Sequence, residues 1–205
     1  MIIGIHGYLG SFKTTTAVAL AKLSYDNGYT VMSNQPLNFP YVKLDMDMIR
    51  RYAIIGEQLP YERLFILGDE WQQVMDSRRS MDGDELMNTY FIAQTRKRGV
   101  KLCYIAPQRG MSDLRLRENT NVIFKCYKRH KETKKICFND ECDRPHYAEW
   151  YIINVQAGKG KHCYLKNPEV VYSLFDTHHI ISPISHLSEN EMKQIITAIK
   201  TGFET

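Results

Sequence analysis

Residues 1–5 form an almost wholly apolar, strand-length run, and after a glycine-bearing loop residues 14–24 carry Ala, Val and Leu at helical spacing. A buried strand that feeds a helix through a short loop is the opening of an α/β unit, and such a strand needs partners on both sides. The loop reads Gly7-Tyr8-Leu9-Gly10-Ser11-Phe12-Lys13-Thr14. Gly7 and Gly10 permit close approach of the backbone, and the amides at a helix start face an anion at the positive end of the helix dipole. Lys13 adds a mobile positive charge that can reach β- and γ-phosphates, and Thr14 a hydroxyl suited to Mg2+. This is the context in which a phosphate-binding loop works, with Gly7, Tyr8, Leu9, Gly10, Ser11, Phe12, Lys13, Thr14 and Thr15 as its nucleotide-binding set. Phe12 stands where glycine normally precedes the lysine, so the conformation there is open. The rival reading is an ordinary strand–turn–helix junction with a solvated Lys and Thr.

Some 55 residues downstream, the apolar run 64–67 leads into Gly68-Asp69-Glu70. Adjacent acids after a buried strand divide the work of ATP hydrolysis: Asp69, with Thr14, can hold the Mg2+ shell, while Glu70 can polarise the attacking water. A further strand-like run at 100–106 ends in Pro107-Gln108, and an uncharged amide there can bond both the γ-phosphate and that water. Lys13, Glu70 and Gln108 are therefore the candidate catalytic residues.

Strand-like runs at 1–5, 29–32, 64–67, 100–106 and 121–127 are separated by helical patterns at 14–24, 44–59 and 84–98, an alternation that predicts a parallel sheet. Ile49 and Ala53 are expected to face inward. Residues 149–155 and 162–165 are expected to pair as a hairpin over Gly158-Lys159-Gly160, 170–174 to form a late strand, and 188–200 an amphipathic helix capped by Ser188 and Glu191. The expected fold is a three-layer α/β P-loop NTPase of RecA-like, additional-strand type. Its mainly parallel central sheet would carry a small β-rich insertion, bearing Cys and His, at about 128–166 of a single domain, 1–205.

The totals agree. A chain of 205 residues that is 43% hydrophobic and 24% charged suits one globular domain and excludes disorder and coiled-coil rods. The net charge of +4 neither requires nor excludes nucleic acid. Five cysteines leave one unpaired in any full disulfide scheme, and the N-terminus lacks an export signal, which favours an intracellular protein.

With these motifs in place, the chain resembles the FtsK–HerA branch of P-loop ATPases, including viral genome-packaging ATPases, and is similar to zonula occludens toxin and filamentous-phage assembly proteins. Ser33-Asn34-Gln35-Pro36-Leu37, Asp69-Glu70-Trp71, Asp76-Ser77-Arg78-Arg79, Gln94-Thr95-Arg96-Lys97-Arg98-Gly99, Asp113-Leu114-Arg115-Leu116-Arg117-Glu118-Asn119 and Phe175-Asp176-Thr177 carry the likeness. It spans about 1–125 and 170–180. The resemblance implies a homo-oligomeric ring that couples ATP hydrolysis to pulling double-stranded DNA, with capsid or internal membrane proteins of a virion as further partners. The expected location is the host cytoplasm, with the virion as an option. Because the sequence shows no apolar run of about 20 residues, packaging into a preformed capsid is preferred over an assembly-protein ATPase domain. A nucleotide-binding module with little turnover is the third reading.

A ring ATPase can borrow an arginine from the neighbouring subunit to stabilise the transferring phosphoryl. Arg78, Arg79, Arg96 and Arg98 are the candidates, Arg78 slightly favoured; for Arg96 and Arg98, offsetting a helix dipole is the rival role. The basic stretches 125–135 and 159–161 suit either a phosphate backbone or a solvated face. Cys126, His130, Cys137, Cys142, His146 and Cys163 form a loosely zinc-like set that lacks a paired C-x2-C pattern; zinc is not favoured, and a Cys137–Cys142 disulfide or free thiols stay open.

Overall fold

The computed structural model describes residues 1–44, 48–49, 51, 61–69, 90–95, 97–107, 114–139 and 141–177. Its first strand, β1 (Ile2–His6), is buried at every position because it is flanked on both sides. The remaining strands are β2 (Thr30–Ser33), β3 (Val42–Lys43), β4 (Leu64–Gly68), β5 (Lys101–Ala106), β6 (Val122–His130), β7 (His146–Asn154) and β8 (Lys159–Leu165). They form one eight-stranded sheet in the order β3-β2-β4-β5-β1-β6-β7-β8. The first six in that order pair in parallel, and β7 and β8 extend the edge antiparallel.

The parallel strands read as near-continuous apolar runs because both faces are covered. On one face, helix α1 (Lys13–Asp26) presents Ala17, Val18 and Ala21, all fully buried, to Ile3, Ile5, Phe65, Leu67, Cys103 and Ile105. Small side chains on α1 let it lie close to the sheet. The other face packs Ile2, Met32, Ile66, Leu102 and Tyr104 against Phe91 and Ile92 of the helical residues 90–95 and Leu116 of the short helix Leu114–Glu118. These are the three layers expected.

The hairpin is present, with Gly158 at φ 62° in its turn. The strand expected at 121–127 runs on to His130, so the same strand that flanks β1 carries the outer hairpin. After it the chain turns tightly through Lys134, at φ 61°, and returns to bridge Ile136 with Arg129. The late strand expected at 170–174 is instead a short helix, Glu169–Tyr172. Pro168 at its N-cap is already at φ −62° and needs no amide partner, which favours a helical start. Val171 and Phe175, four residues apart, are the two that bury against the α1 face of the sheet. Ile49 is fully buried as expected; Ala53, most of 44–59, the first part of 84–98, and the tail 188–200 lie outside the described residues. Among the described residues no helix is long and apolar enough to cross a membrane.

Candidate functional site

The loop between β1 and α1 sits at the C-terminal edge of the parallel strands, where β4 also ends. Gly7 donates its amide to Pro107 O at 3.3 Å and Ser11 to Tyr8 O at 3.3 Å, which folds the loop back on itself. A Cβ on Gly7 would stand 2.3 Å from Ser11 Oγ and 2.7 Å from Cys126 O, so only glycine fits there. The Lys13 ammonium donates to Tyr8 O at 2.7 Å, which holds its charge over the loop.

Two residues of the loop have positive φ, Gly10 at 67° and Phe12 at 65°. Phe12, with ψ 28°, is left-handed and forms the N-cap of α1, its carbonyl accepting from Thr16 N at 2.9 Å. The phenylalanine thus takes the conformation for which glycine is usual, at about 1–2 kcal/mol of backbone cost. Phe12→Gly is expected to leave the melting temperature within a few degrees or raise it, because relief of strain offsets the greater freedom of glycine in the unfolded chain. Phe12→Val, branched at Cβ, is expected to lower it. Thermal denaturation of the pair checks this, and a clear loss of stability in Phe12→Gly would contradict the strain.

Thr14 Oγ1 donates to Asp69 Oδ2 at 2.8 Å, joining the helix start to the end of β4 across 55 residues. Asp69 is itself fixed by Asn34. The Asp69 amide donates to Asn34 Oδ1 and Asn34 Nδ2 donates to Asp69 O, both at 2.8 Å, a two-point clamp on the main chain. Beside it, Ser33 Oγ and the Gln35 backbone close a turn at 2.8 and 2.9 Å, and Gln35 Nε2 reaches Asp176 O at 2.9 Å. The segments 33–37 and 175–177 therefore meet next to Asp69. Hard oxygen donors converging at a helix N-terminus suit Mg2+ and a polyphosphate.

Beneath the loop, Thr16 Oγ1 donates to Phe12 O at 2.6 Å and accepts from Trp150 Nε1 at 2.9 Å, tying α1 to β7. Tyr8 is pinned to β6: its hydroxyl donates to Lys128 O at 3.2 Å and accepts from Lys128 N at 3.0 Å, while its ring packs on Phe138 at 4.8 Å between centroids. A cavity of about 460 Å3 opens beside Gly7 and Tyr8, walled by Lys125, Tyr127, Ile153 and Val155. Neither the Asn34 clamp nor the Trp150 bond is signalled by any local pattern.

Arg98 lies just before β5, at the N-terminal edge of the sheet. The six residues of β5 set it about 20 Å from the loop of its own chain. Glu70, Arg78, Arg79, Arg96 and Gln108 lie outside the described residues, although Pro107, next to Gln108, touches Gly7. Of the basic stretch 125–135, Lys128 is buried with Nζ donating to Asn139 O at 3.0 Å, Arg129 pairs with buried Glu149, and Lys131 pairs with Glu169 at 3.4 Å. Lys128 and Arg129 are thus held within the fold and Lys131 is paired at the surface, whereas Lys125, Lys159 and Lys161 are exposed.

The Cys/His set divides. Cys126 lies under the loop, 3.6 Å from Thr16 Oγ1, and Cys163 sits on β8 opposite Trp150. His130, Cys137, Cys142 and His146 come together. All five cysteines are free thiols. Burial pushes the Cys126 thiol up to about 12 and raises that of Cys103 still further, so both stay protonated. In the native protein iodoacetamide is expected to label the half-buried Cys163 and spare Cys103 and Cys126 until the chain unfolds. Peptide mass mapping reads this, and native labelling of Cys126 would show that the floor of the loop opens.

No protein-family model and no curated protein matches the sequence. Solved structures do. The chain is similar to the N-terminal domain of zonular occludens toxin from Neisseria meningitidis, with TM-score 0.57 and 14% identity over 85% of this chain and 98% of that one. It is also similar to the genome-packaging NTPase B204 of Sulfolobus turreted icosahedral virus 2, solved with ATP-gammaS, with TM-score 0.51 and 10% identity over 78% and 95%. A third is the ATPase domain of G40P, at 0.51 and 11% over 86% and 84%. What the chain shares with these structures is the fold, a mainly parallel sheet of RecA-like P-loop NTPase type.

Proposed function

We propose that the protein is an ATP-hydrolysing motor that translocates double-stranded DNA, of the kind that packages a viral genome into a preformed capsid. The observation that carries the nucleotide chemistry is the Thr14–Asp69 hydrogen bond at 2.8 Å, beside a loop whose lysine already lies over it. A hydroxyl that donates to Asp69 keeps its lone pairs for a cation, so Thr14 and Asp69 would hold Mg2+. The backbone of residues 7–14, with Thr15 behind, would hold the terminal phosphates. When bound, Mg2+ would supply charge stabilisation on the phosphoryl oxygens.

Lys13 orients the same phosphates, Asn34 keeps Asp69 in place, Glu70 takes up the proton of the attacking water, and Gln108 positions that water. Arg78, or Arg79, Arg96 or Arg98, completes the site from the next subunit of a ring. For Arg98 that trans arrangement is the one its distance from its own loop allows. The exposed Lys125, Lys159 and Lys161 are available for a phosphate backbone. A location in the host cytoplasm or virion, and contacts with capsid or internal membrane proteins, belong to the same reading.

A second reading, the ATPase domain of a filamentous-phage assembly or zonula occludens toxin-like protein, is favoured by the match over 98% of the toxin domain. ATPase activity measured with and without double-stranded DNA, with oligomeric mass under the same conditions, separates them. Stimulation by DNA in a ring-sized oligomer supports packaging. Turnover indifferent to DNA favours the second reading, and nucleotide binding without turnover would leave a binding module only.

A further inference from the structure

The outer hairpin brings together four side chains that the phosphate site does not use. His130 ends β6 and His146 begins β7, and the two are direct cross-strand partners with ring centroids 4.7 Å apart. The loop between them carries Cys137 and Cys142. Its path is fixed by the Cys137 amide donating to Lys128 O at 2.8 Å, the Lys131 amide to Pro145 O at 2.9 Å and the Cys142 amide to Asn139 O at 3.4 Å. One ligand-capable atom from each of His130, Cys137, Cys142 and His146 lies within 4.8 Å of the other three.

We infer that His130, Cys137, Cys142 and His146 form a structural zinc site that locks the 137–142 loop to the end of the β6–β7 hairpin, beside the phosphate loop.

Zinc bound by two thiolates and two imidazoles is tetrahedral, with bonds of about 2.3 and 2.0 Å, which sets the ligand atoms roughly 3.3–3.8 Å apart. No separation in the cluster exceeds 4.8 Å, about an ångström above the top of that range. Two of the buried ring nitrogens, Nδ1 of His130 and Nε2 of His146, have no hydrogen-bond partner among the described residues, which costs free energy unless another ligand takes them. Two thiolates cancel the charge of Zn2+, so the site is neutral beside buried Lys128 and meets no electrostatic penalty there. Nitrogen and sulfur donors in a four-fold set also select zinc over Mg2+, which keeps the two metals apart.

The site connects to the loop at Gly7 through two contacts. Phe138, next to Cys137, packs on the Tyr8 ring, and Lys128, whose backbone holds the Tyr8 hydroxyl, sends its ammonium to Asn139 O. All four ligands are supplied by protein, which marks a closed, non-catalytic site.

The test uses the full chain, purified reduced and without chelator, with zinc measured by inductively coupled plasma mass spectrometry. About one zinc per chain is expected, falling at least tenfold in Cys137→Ser/Cys142→Ser and several-fold in His146→Gln. X-ray absorption at the zinc edge should show two sulfur and two nitrogen neighbours, and cobalt(II) replacement should give the visible bands of a tetrahedral thiolate site. The last two readings use the unaltered protein, so they decide the matter even if the double variant does not fold. Removing the metal should lower the melting temperature. No zinc uptake after incubation with the metal, zinc retained in the double variant, a first shell without sulfur, or a Cys137–Cys142 disulfide in the protein from the cytosol would each overturn the site. None of these readings depends on ATP hydrolysis.

Discussion

Lys13→Ala is expected to lower ATP turnover by about 10²–10³-fold or more, the scale seen when one preorganised donor to developing phosphoryl or oxyanion charge is removed, and to weaken nucleotide binding measured by calorimetry. The geometry explains why the loss should be large and local. The ammonium is half-buried and held to Tyr8 O at 2.7 Å, so it is placed over the loop before a phosphate arrives and little is spent on ordering it. Its hydrogen bond to Tyr8 O is worth about 1 kcal/mol, so the variant should stay folded. Lys13→Arg should not rescue, because a planar fork cannot replace a compact charge in a loop closed by the Ser11–Tyr8 hydrogen bond. Unchanged affinity and turnover in a folded Lys13→Ala protein would remove the loop from the phosphate role altogether.

What could be read in the chain beforehand follows from how local each signal is. The run at 1–5, the glycines at 7 and 10 and the helical spacing after Thr14 are contiguous, and the strand, loop and helix appear where they point. The same holds for the acidic strand end at Asp69 and the hairpin over Gly158, whose turn needs a residue of positive φ. Residues 170–174 differ from expectation because a short, mostly apolar stretch of five fits a strand and a helical turn equally well, and Pro168 decides for the helix. Phe12 in the left-handed region is a tertiary override: the bond from Thr16 N to Phe12 O and the Trp150–Thr16–Phe12 chain hold a conformation its own propensity disfavours.

The longer-range contacts had no local trace at all. Asn34 and Asp69 are 35 residues apart and meet because β2 and β4 are neighbours in register, Ser33 opposite Leu67. Sequence spacing alone groups His130 and His146 loosely with Cys126 and Cys163. Only the β6–β7 register, which puts His130 directly opposite His146, selects the four that converge. The spacing of Cys137 and Cys142 is a weak signal because half of the cluster comes from strand ends rather than from a second cysteine pair.

Glu70→Gln is expected to bind ATP within about threefold of the unaltered protein and to lose hydrolysis by about 10²–10⁴-fold, the usual worth of a general base. Asp69 has its backbone N–H and C=O both held by the Asn34 amide, and its carboxylate accepts from Thr14. With that residue fixed in main chain and side chain, the proposed division of labour gives it the cation side of the site and leaves the base to its neighbour. Asp69→Asn should therefore fail differently, raising the Mg2+ concentration needed for half-maximal turnover. Asn34→Ala should raise it in the same direction but less, since it removes two main-chain hydrogen bonds and leaves the carboxylate in place. A Mg2+ titration of turnover across the three variants separates the roles. If Glu70→Gln hydrolyses ATP as fast as the unaltered protein, or shares the Mg2+ defect of Asp69→Asn, the division of labour between the two acids is wrong and the attacking water is activated from elsewhere.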